Sequence, residues 1–281
     1  MIDGDSLAHR AYHGLPAIEG AGGRPINALV GFANMLLALH EAERPRAVLA
    51  CWDTLTVPTY RHRELPVYQA HRPAFDAEIV EQLGRLPALV DAFGFANASG
   101  GGYEADDFLA AAASRESAAG GTTLIVTSDR DAYQLATAAV TILAPQTGGR
   151  PPARIGPAEV VERYGVTPEQ VADFIALRGD PSDGIAGARG IGAKTAAVLL
   201  SQFGTLDGVI ENRRALTARQ AESLADPLLP LYRWVATMDT DAPVELPGDA
   251  ALDHERAAAH AEQIGAGGLA ARLRARRPGS G

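Results

Sequence analysis

Three short apolar runs that read as β-strands, Met1–Asp3, Ala47–Asp53 and Thr122–Asp129, each finish in aspartate. A fourth run, Val140–Leu143, lacks the acid. Between the runs lie stretches with helical spacing: Ile26–Glu43, Asp76–Phe93, Glu104–Ala119 and Asp131–Ala138. Apolar strands alternating with helices predict an α/β fold, a parallel sheet covered on both faces. Open parallel sheets present ligands beyond the carboxyl ends of their strands. Asp3, Asp53 and Asp129 are therefore expected to point into one crevice. The first run has almost nothing upstream of it, which suggests a native start several residues earlier.

From about residue 155 the pattern turns helical. "GPAEVVERYG" has a Gly-Pro start and a Gly stop. "TPEQVADFIALRG" places Thr167 at the N-cap and Pro168 at the first helical position, and ends at Gly179. "GAKTAAVLLSQFG" closes at Gly204. The expected division is an α/β core over 1–155, a helical subdomain over 156–265 and a basic, disordered tail over 266–281.

The acids cluster in five motifs: "IDGD" with Asp3, "CWD" with Asp53, "GYEADD" with Glu104, Asp106 and Asp107, "SDRD" with Asp129 and Asp131, and "GDPSD" with Asp180 and Asp183. Glu104 and Asp107 are three apart, so they share a helix face. Each acid alone has an ordinary reading as a helix cap, a turn residue or a solvated helix start. Together they repel one another and need compensating positive charge. Hard oxygen ligands without histidine or cysteine point to Mg²⁺ or Mn²⁺. Two such ions, about 3.5–4 Å apart, would account for the number of acids and suit phosphodiester hydrolysis.

Two further segments bear on nucleic acid. In "GDPSDGIAGARGIGAKTA", Gly187, Gly190 and Gly192 permit close backbone approach. The N–H groups near Gly192 would face outward at a helix start, a phosphate-binding arrangement, with Arg189 and Lys194 adding charge. It is not a P-loop, because Ala193 separates Gly192 from Lys194. A plain glycine-rich turn between helices would read the same way. The stretch Thr56–Phe75 mixes Arg61, Arg63 and Arg72 with Tyr60, Tyr68, His62 and His71. That blend suits a nucleic-acid strand threaded past a metal site, and equally a solvated surface loop.

The net charge of −9, from 34 acids and 25 bases, taken alone argues against a nucleic-acid binder. Setting aside the nine clustered acids leaves 25 against 25, so the acidity can belong to the site. The single cysteine, Cys51, excludes an intramolecular disulfide and fits a reducing cytoplasm. No apolar run reaches the roughly 20 residues of a membrane span.

Together "IDGDSLAHRAYHGL", "YRHRELPVYQAHRP", "GYEADD", "TSDRDAYQL" and "GDPSDGIAGARGIGAKTA" resemble the bacterial and phage 5′-nuclease family over about residues 1–265. That family includes the N-terminal nuclease domain of DNA polymerase I and its stand-alone relatives. The resemblance implies a parallel-sheet, PIN-like nuclease core, a helical arch at about 56–80, and a C-terminal helix–hairpin–helix-type subdomain. It implies that Glu104, Asp106, Asp129 and Asp131 sit nearer one ion and that Asp180 and Asp183 complete the other. Asp3, Asp53 and Asp107 would hold either ion directly or through water. Arg10 and Arg72 match family arginines near the scissile phosphate and the 5′ end. Arg61, Arg63 and Tyr68 of the arch would contact DNA. Arg189, Gly190, Gly192, Lys194 and Thr195 would grip duplex backbone, with a K⁺ commonly held by the hairpin carbonyls. The implied substrate is DNA with a 5′ flap, nick or gap, cut by a monomer working alongside a polymerase and a ligase.

The chain departs from the family in three places. The arch usually reads Tyr-Lys-x-x-Arg, and here it reads Tyr68-Gln69-Ala70-His71-Arg72. A lost lysine contact to the phosphate costs on the order of 10²-fold in rate, and His71 or Arg63 would substitute in part. Gly184 and Ala186 stand where the family has Asn and Pro, which is expected to loosen the loop carrying Asp183. The first strand is clipped. Gln69 keeps open a structure-specific DNA-binding protein with weak or no cleavage. A PIN-type endoribonuclease is a further alternative, although such domains are shorter and lack the glycine hairpin.

Overall fold

The computed structural model describes residues 1–54, 57–72 and 76–276. Packing divides the chain into two units, each gathered from separate segments. The first holds 1–53, 74–100 and 243–281, and the second 54–73 and 101–242.

The first unit contains strands β1 (Ile2–Asp3), β2 (Leu49–Cys51) and β3 (Ala96–Ala98). β1 and β3 both run parallel to the central β2, with Asp3 opposite Cys51 and Ala50 opposite Asn97. Leu49, Ala50 and Cys51 are all buried, which is why β2 reads as an unbroken apolar run rather than an alternation. Helix Gly4–Gly14 packs on helix Asn27–Glu43. The crossing is close at Gly31, where a Cβ would press on Ala11. The second of these helices has no N-cap side chain of its own. Its first turn is capped from elsewhere by the fully buried Gln82, whose Oε1 accepts from the Ala28 N–H at 2.8 Å while its Nε2 donates to Asn27. The predicted helix Asp76–Phe93 is two, Ala77–Leu83 and Leu86–Ala92. Gly84 and Arg85 interrupt it, and Pro87 opens the second half.

The expected disordered tail is a correction. Residues Gly267–Ala275 form a helix against His254–Gln263, with Leu269, Ala270 and Leu273 buried and Arg272 and Arg274 exposed. Arg274 pairs with Glu262. Residues 277–281 lie outside the described residues.

The second unit contains β4 (Thr123–Val126) and β5 (Val140–Ala144), parallel, with β6 (Ala153–Ile155) antiparallel to β5. Helix Ala105–Ala118 precedes β4, and the helices Pro157–Tyr164, Val171–Arg178, Ala193–Phe203, Leu206–Glu211, Ala218–Ser223 and Leu229–Ala236 follow β6. Gly165 in the left-handed conformation ends the first of these, and Gly179 and Gly204 cap the next two. β3 and β6 were not expected from the sequence. Each is three residues long, too short for an alternation to show. The fold class stands as expected, mixed α/β with mainly parallel strands. No described helix is long and apolar enough to cross a membrane.

Candidate metal and DNA site

In the second unit, β4 ends at Val126 and the chain turns at once. The Asp129 N–H donates to Thr127 Oγ1 at 2.9 Å, and the Asp131 N–H to Asp129 Oδ1 at 2.8 Å. These nested side-chain turns set Asp129 and Asp131 just beyond the strand end. The predicted helix Asp131–Ala138 shrinks to a 3-10 turn, Asp131–Leu135.

A second acidic loop follows helix Val171–Arg178. Gly179, at φ +77°, takes the chain into a tight antiparallel bridge between Asp180 and Ile185. Asp180 accepts from the Ser182 N–H at 2.9 Å and from Arg178 at 3.1 Å. Burial works against its charge, but the bonds from Ser182 and Arg178 outweigh it and hold its pKa below the usual range. Burial pushes the Asp183 carboxyl up to about 6, with Asp129 and Asp180 adding to the rise and Arg72 opposing it. Burial also raises Asp131 well above the usual range, and the charges of Asp129, Asp183 and Asp180 push the same way. Four carboxylates therefore interact in one region, where Arg178 and Arg72 pair with Asp180 and Asp183.

The third acidic group opens helix Ala105–Ala118. Glu104 is the N-cap and Asp107 the third residue in, linked by a reciprocal capping box. Asp107 is completely buried. Its Oδ1 accepts from the Tyr60 hydroxyl (2.9 Å), Arg61 Nη2 (2.7 Å) and the Asp239 N–H (2.9 Å). Its Oδ2 accepts from Arg61 Nη1 (2.9 Å) and the Glu104 N–H (3.0 Å). Glu104 accepts from Thr59 Oγ1 at 2.8 Å and from the Tyr68 hydroxyl at 2.9 Å, and lies 3.2 Å from Arg61 Nη1. Asp106 sits between them in the first turn, half-buried.

These contacts correct two expectations. Arg61 and Tyr68, expected to meet DNA, are 3% and 4% exposed. Arg61 also donates to the carbonyls of Val235 and Thr237. Both side chains are bonded inside the protein and have no surface to offer a nucleic acid. Arg63 and His71 are exposed, as expected of that segment. Gln69 adopts φ +52°, and its N–H donates to the Asp183 carbonyl while its Nε2 reaches Asp183 Oδ1 at 3.2 Å. Arg72 Nη2 donates to the same oxygen at 2.6 Å. Thr56 and Pro73–Phe75 of the expected arch lie outside the described residues, as does Leu55 before it.

Gly184 also corrects its expectation. It stands at φ +73°, and a Cβ there would run into the carbonyl oxygen of Val67. The glycine does not loosen the loop of Asp183; it lets that loop close against residues 67–69.

At the glycine hairpin, Gly187 at φ +68° and Gly190 at φ +79° make the turn, and the Ala188 N–H donates to Leu177. Gly192 opens helix Ala193–Phe203 with no side-chain cap, so the first N–H groups remain for an outside acceptor. Arg189, Gly190, Gly192 and Lys194 are exposed and Thr195 half-buried. Arg219 was not anticipated. Its guanidinium lies over Gly190, within 3.4–3.7 Å of where a Cβ would stand.

The first unit carries Asp3, Arg10 and Asp53. Asp3 caps helix Gly4–Gly14 through the Ser6 N–H at 2.9 Å. Arg10 is half-buried on that helix. Asp5, overlooked in the sequence although "IDGD" repeats the acid, accepts from the Asp53 N–H at 2.7 Å. Burial and the neighbouring Asp53 charge push its pKa up to about 7.

Among the described residues, no three histidine, cysteine or acidic side chains converge as they stand on a common point that would hold an ion. The donor chemistry nevertheless fits a hard divalent cation: every candidate is a carboxylate, and Asp131 and Asp183 are raised by burial and by neighbouring negative charge, both of which a cation would offset.

A mainly parallel α/β core with acids at strand ends, followed by a helical region with a glycine hairpin, defines a class of nuclease. Residues 1–165 match the family described as 5′-3′ exonuclease, N-terminal resolvase-like domain, and residues 166–259 match 5′-3′ exonuclease, C-terminal SAM fold. The chain belongs to the 5′-3′ exonuclease family. It is 34% identical to a 5′-3′ exonuclease of Mycobacterium tuberculosis, with 97% of this chain and 95% of that protein covered. It is 38% identical to DNA polymerase I of Mycobacterium bovis over 83% of this chain, and spans 26% of that relative's length. The bacteriophage T5 flap endonuclease, solved as a pseudo-enzyme–product complex with DNA and metal ions, is similar in structure with a TM-score of 0.68. That match covers 98% of this chain and 97% of the other, and at 20% identity it bears on the fold alone.

Proposed function

We propose that this protein is a divalent-metal-dependent 5′-3′ exonuclease and flap endonuclease, which hydrolyses phosphodiesters near the 5′ ends of flapped, nicked or gapped DNA. The observation that carries the reading is the acidic set Asp129, Asp131, Asp180 and Asp183, in which burial, and after it the charges of neighbouring acids, raise the pKa of Asp131 and Asp183. So much like charge in one region is sustained when cations are bound there. Two Mg²⁺ or Mn²⁺ ions are proposed, with Glu104 and Asp106 as further ligands and with Asp3 and Asp53 retained on the strength of their motifs. Bound metal supplies the positive charge that a phosphodiester and an attacking water require.

The residues of this chain do the rest. Arg72 and Arg10 are proposed to hold phosphate oxygens. The bare N–H groups after Gly192, with Lys194, Arg189 and Thr195, are proposed to hold duplex backbone without reading bases, with a K⁺ as an additional hairpin ligand. Work as a cytoplasmic monomer beside a DNA polymerase and a ligase belongs to the same proposal.

Cleavage of a 5′-flap duplex with Mn²⁺, by wild type and by Asp131→Asn, tests it. Wild type should cut, and the variant should lose about 100-fold or more while keeping its fold. Equal cleavage by both refutes the mechanism. A second reading, a structure-specific DNA binder with weak cleavage, is favoured by one observation: the Gln69 amide contacts Asp183 where the family places a lysine. A large rate gain in Gln69→Lys would support it.

A further inference from the structure

The Asp107 carboxylate accepts five hydrogen bonds, whereas a carboxylate has about four lone-pair positions. Nothing remains on it for an ion. Arg61 is matched just as fully. Its N–H groups face both Asp107 oxygens, Glu104 Oε2, and the carbonyls of Val235 and Thr237. Turning Asp107 toward a metal would leave a buried guanidinium without its main partner, which is far costlier than keeping the pair.

Glu104 is different. Its side-chain partners, Thr59, Arg61 and Tyr68, all come from one short stretch of chain. That stretch contacts both carboxylate oxygens, Thr59 at Oε1 and Tyr68 and Arg61 at Oε2, and so fixes the direction of the group. Partners behind a ligand tune metal affinity by about 10–100-fold.

We infer that Arg61 and Asp107 form a positioning pair: Asp107 binds no metal, and the pair aims the Glu104 carboxylate for metal binding. The inference deepens the nuclease reading and rests on it. It changes the role of two residues at once, since one was expected to be a ligand and the other a DNA contact.

The test is Mn²⁺ titration by calorimetry on the full chain, comparing wild type with R61M/D107L and R61K. The double variant replaces a buried ion pair by apolar side chains, a change that folds well in other proteins, and a thermal melt checks this. R61K keeps the charge but cannot hold Asp107 through two parallel bonds. The expected result is an unchanged number of ions bound about 10–100-fold more weakly by the double variant, with R61K intermediate. Loss of an ion from the stoichiometry would make Asp107 a ligand and overturn the inference. Unchanged affinity in both variants would reduce the pair to plain core packing. If the double variant does not fold, R61K alone decides, by the same comparison. Failure of wild type to bind Mn²⁺ or cut a 5′ flap would sink the nuclease reading and the inference together; the variant outcomes sink only the inference.

Discussion

Arg72 Nη2 lies 2.6 Å from Asp183 Oδ1, an ion pair between an exposed arginine and a candidate metal ligand. The contact places a cation where a metal ion is proposed to act, so the two compete for one carboxylate. Arg72→Ala should leave Mn²⁺ affinity unchanged or raise it, and should lower flap cleavage by about 100-fold. Calorimetry and single-turnover kinetics measure the two effects separately. A matching fall in metal affinity would mean that Arg72 merely supports the Asp183 loop.

Stability should depend on pH with a definite sign. Burial is the main cause raising Asp5 to about 7 and Asp183 to about 6, with acidic neighbours adding to it. The same groups titrate near 3.9 in an unfolded chain. Between about pH 4 and pH 7 the folded form therefore binds more protons than the unfolded one, so these two groups erode stability as pH rises through that window. The effect is on the order of a few kcal/mol, since a tenfold change in proton affinity on folding is worth about 1.4 kcal/mol. Thermal melts in chelator should show a fall from pH 5 to pH 8, and Asp5→Asn should flatten it. An equal slope in the variant would place the source elsewhere.

Gly184→Ala should destabilise the protein by about 1–3 kcal/mol, because residue 184 needs a positive φ and its Cβ would meet the Val67 carbonyl. Chemical denaturation reads the change. A neutral result would restore the view that glycine at this position only slackens the loop.

Lys194→Ala should weaken binding to flap DNA about equally for all sequences and reduce the slope of log affinity against log salt by about 1. Fluorescence anisotropy over a salt series measures this. A sequence-dependent loss would contradict a backbone-only contact.

The sequence carried the strands that end near aspartate, because both of their faces are buried and their apolar runs are unbroken. It carried the glycine stops at Gly165, Gly179 and Gly204, because positive φ leaves a residue signature. It did not reveal which charges face inward. Arg61 looks like any basic residue beside an aromatic, and only the fold brings it to Asp107, 46 positions away. Asp5 escaped notice because a repeated acid beside a strand end reads as a helix start. The helix Gly267–Ala275 was hidden by composition: its paired glycines and its arginines read as a basic tail, and only two leucines and an alanine anchor it.

The first unit joins residues 1–53 to partners that lie beyond residue 243, made about 190 residues later in the chain. Chains are synthesised from the N-terminus at about 5–20 residues per second. Order of synthesis and order of folding are therefore decoupled here. The opening strands and helices cannot complete their packing until the helices His254–Gln263 and Gly267–Ala275 have been made.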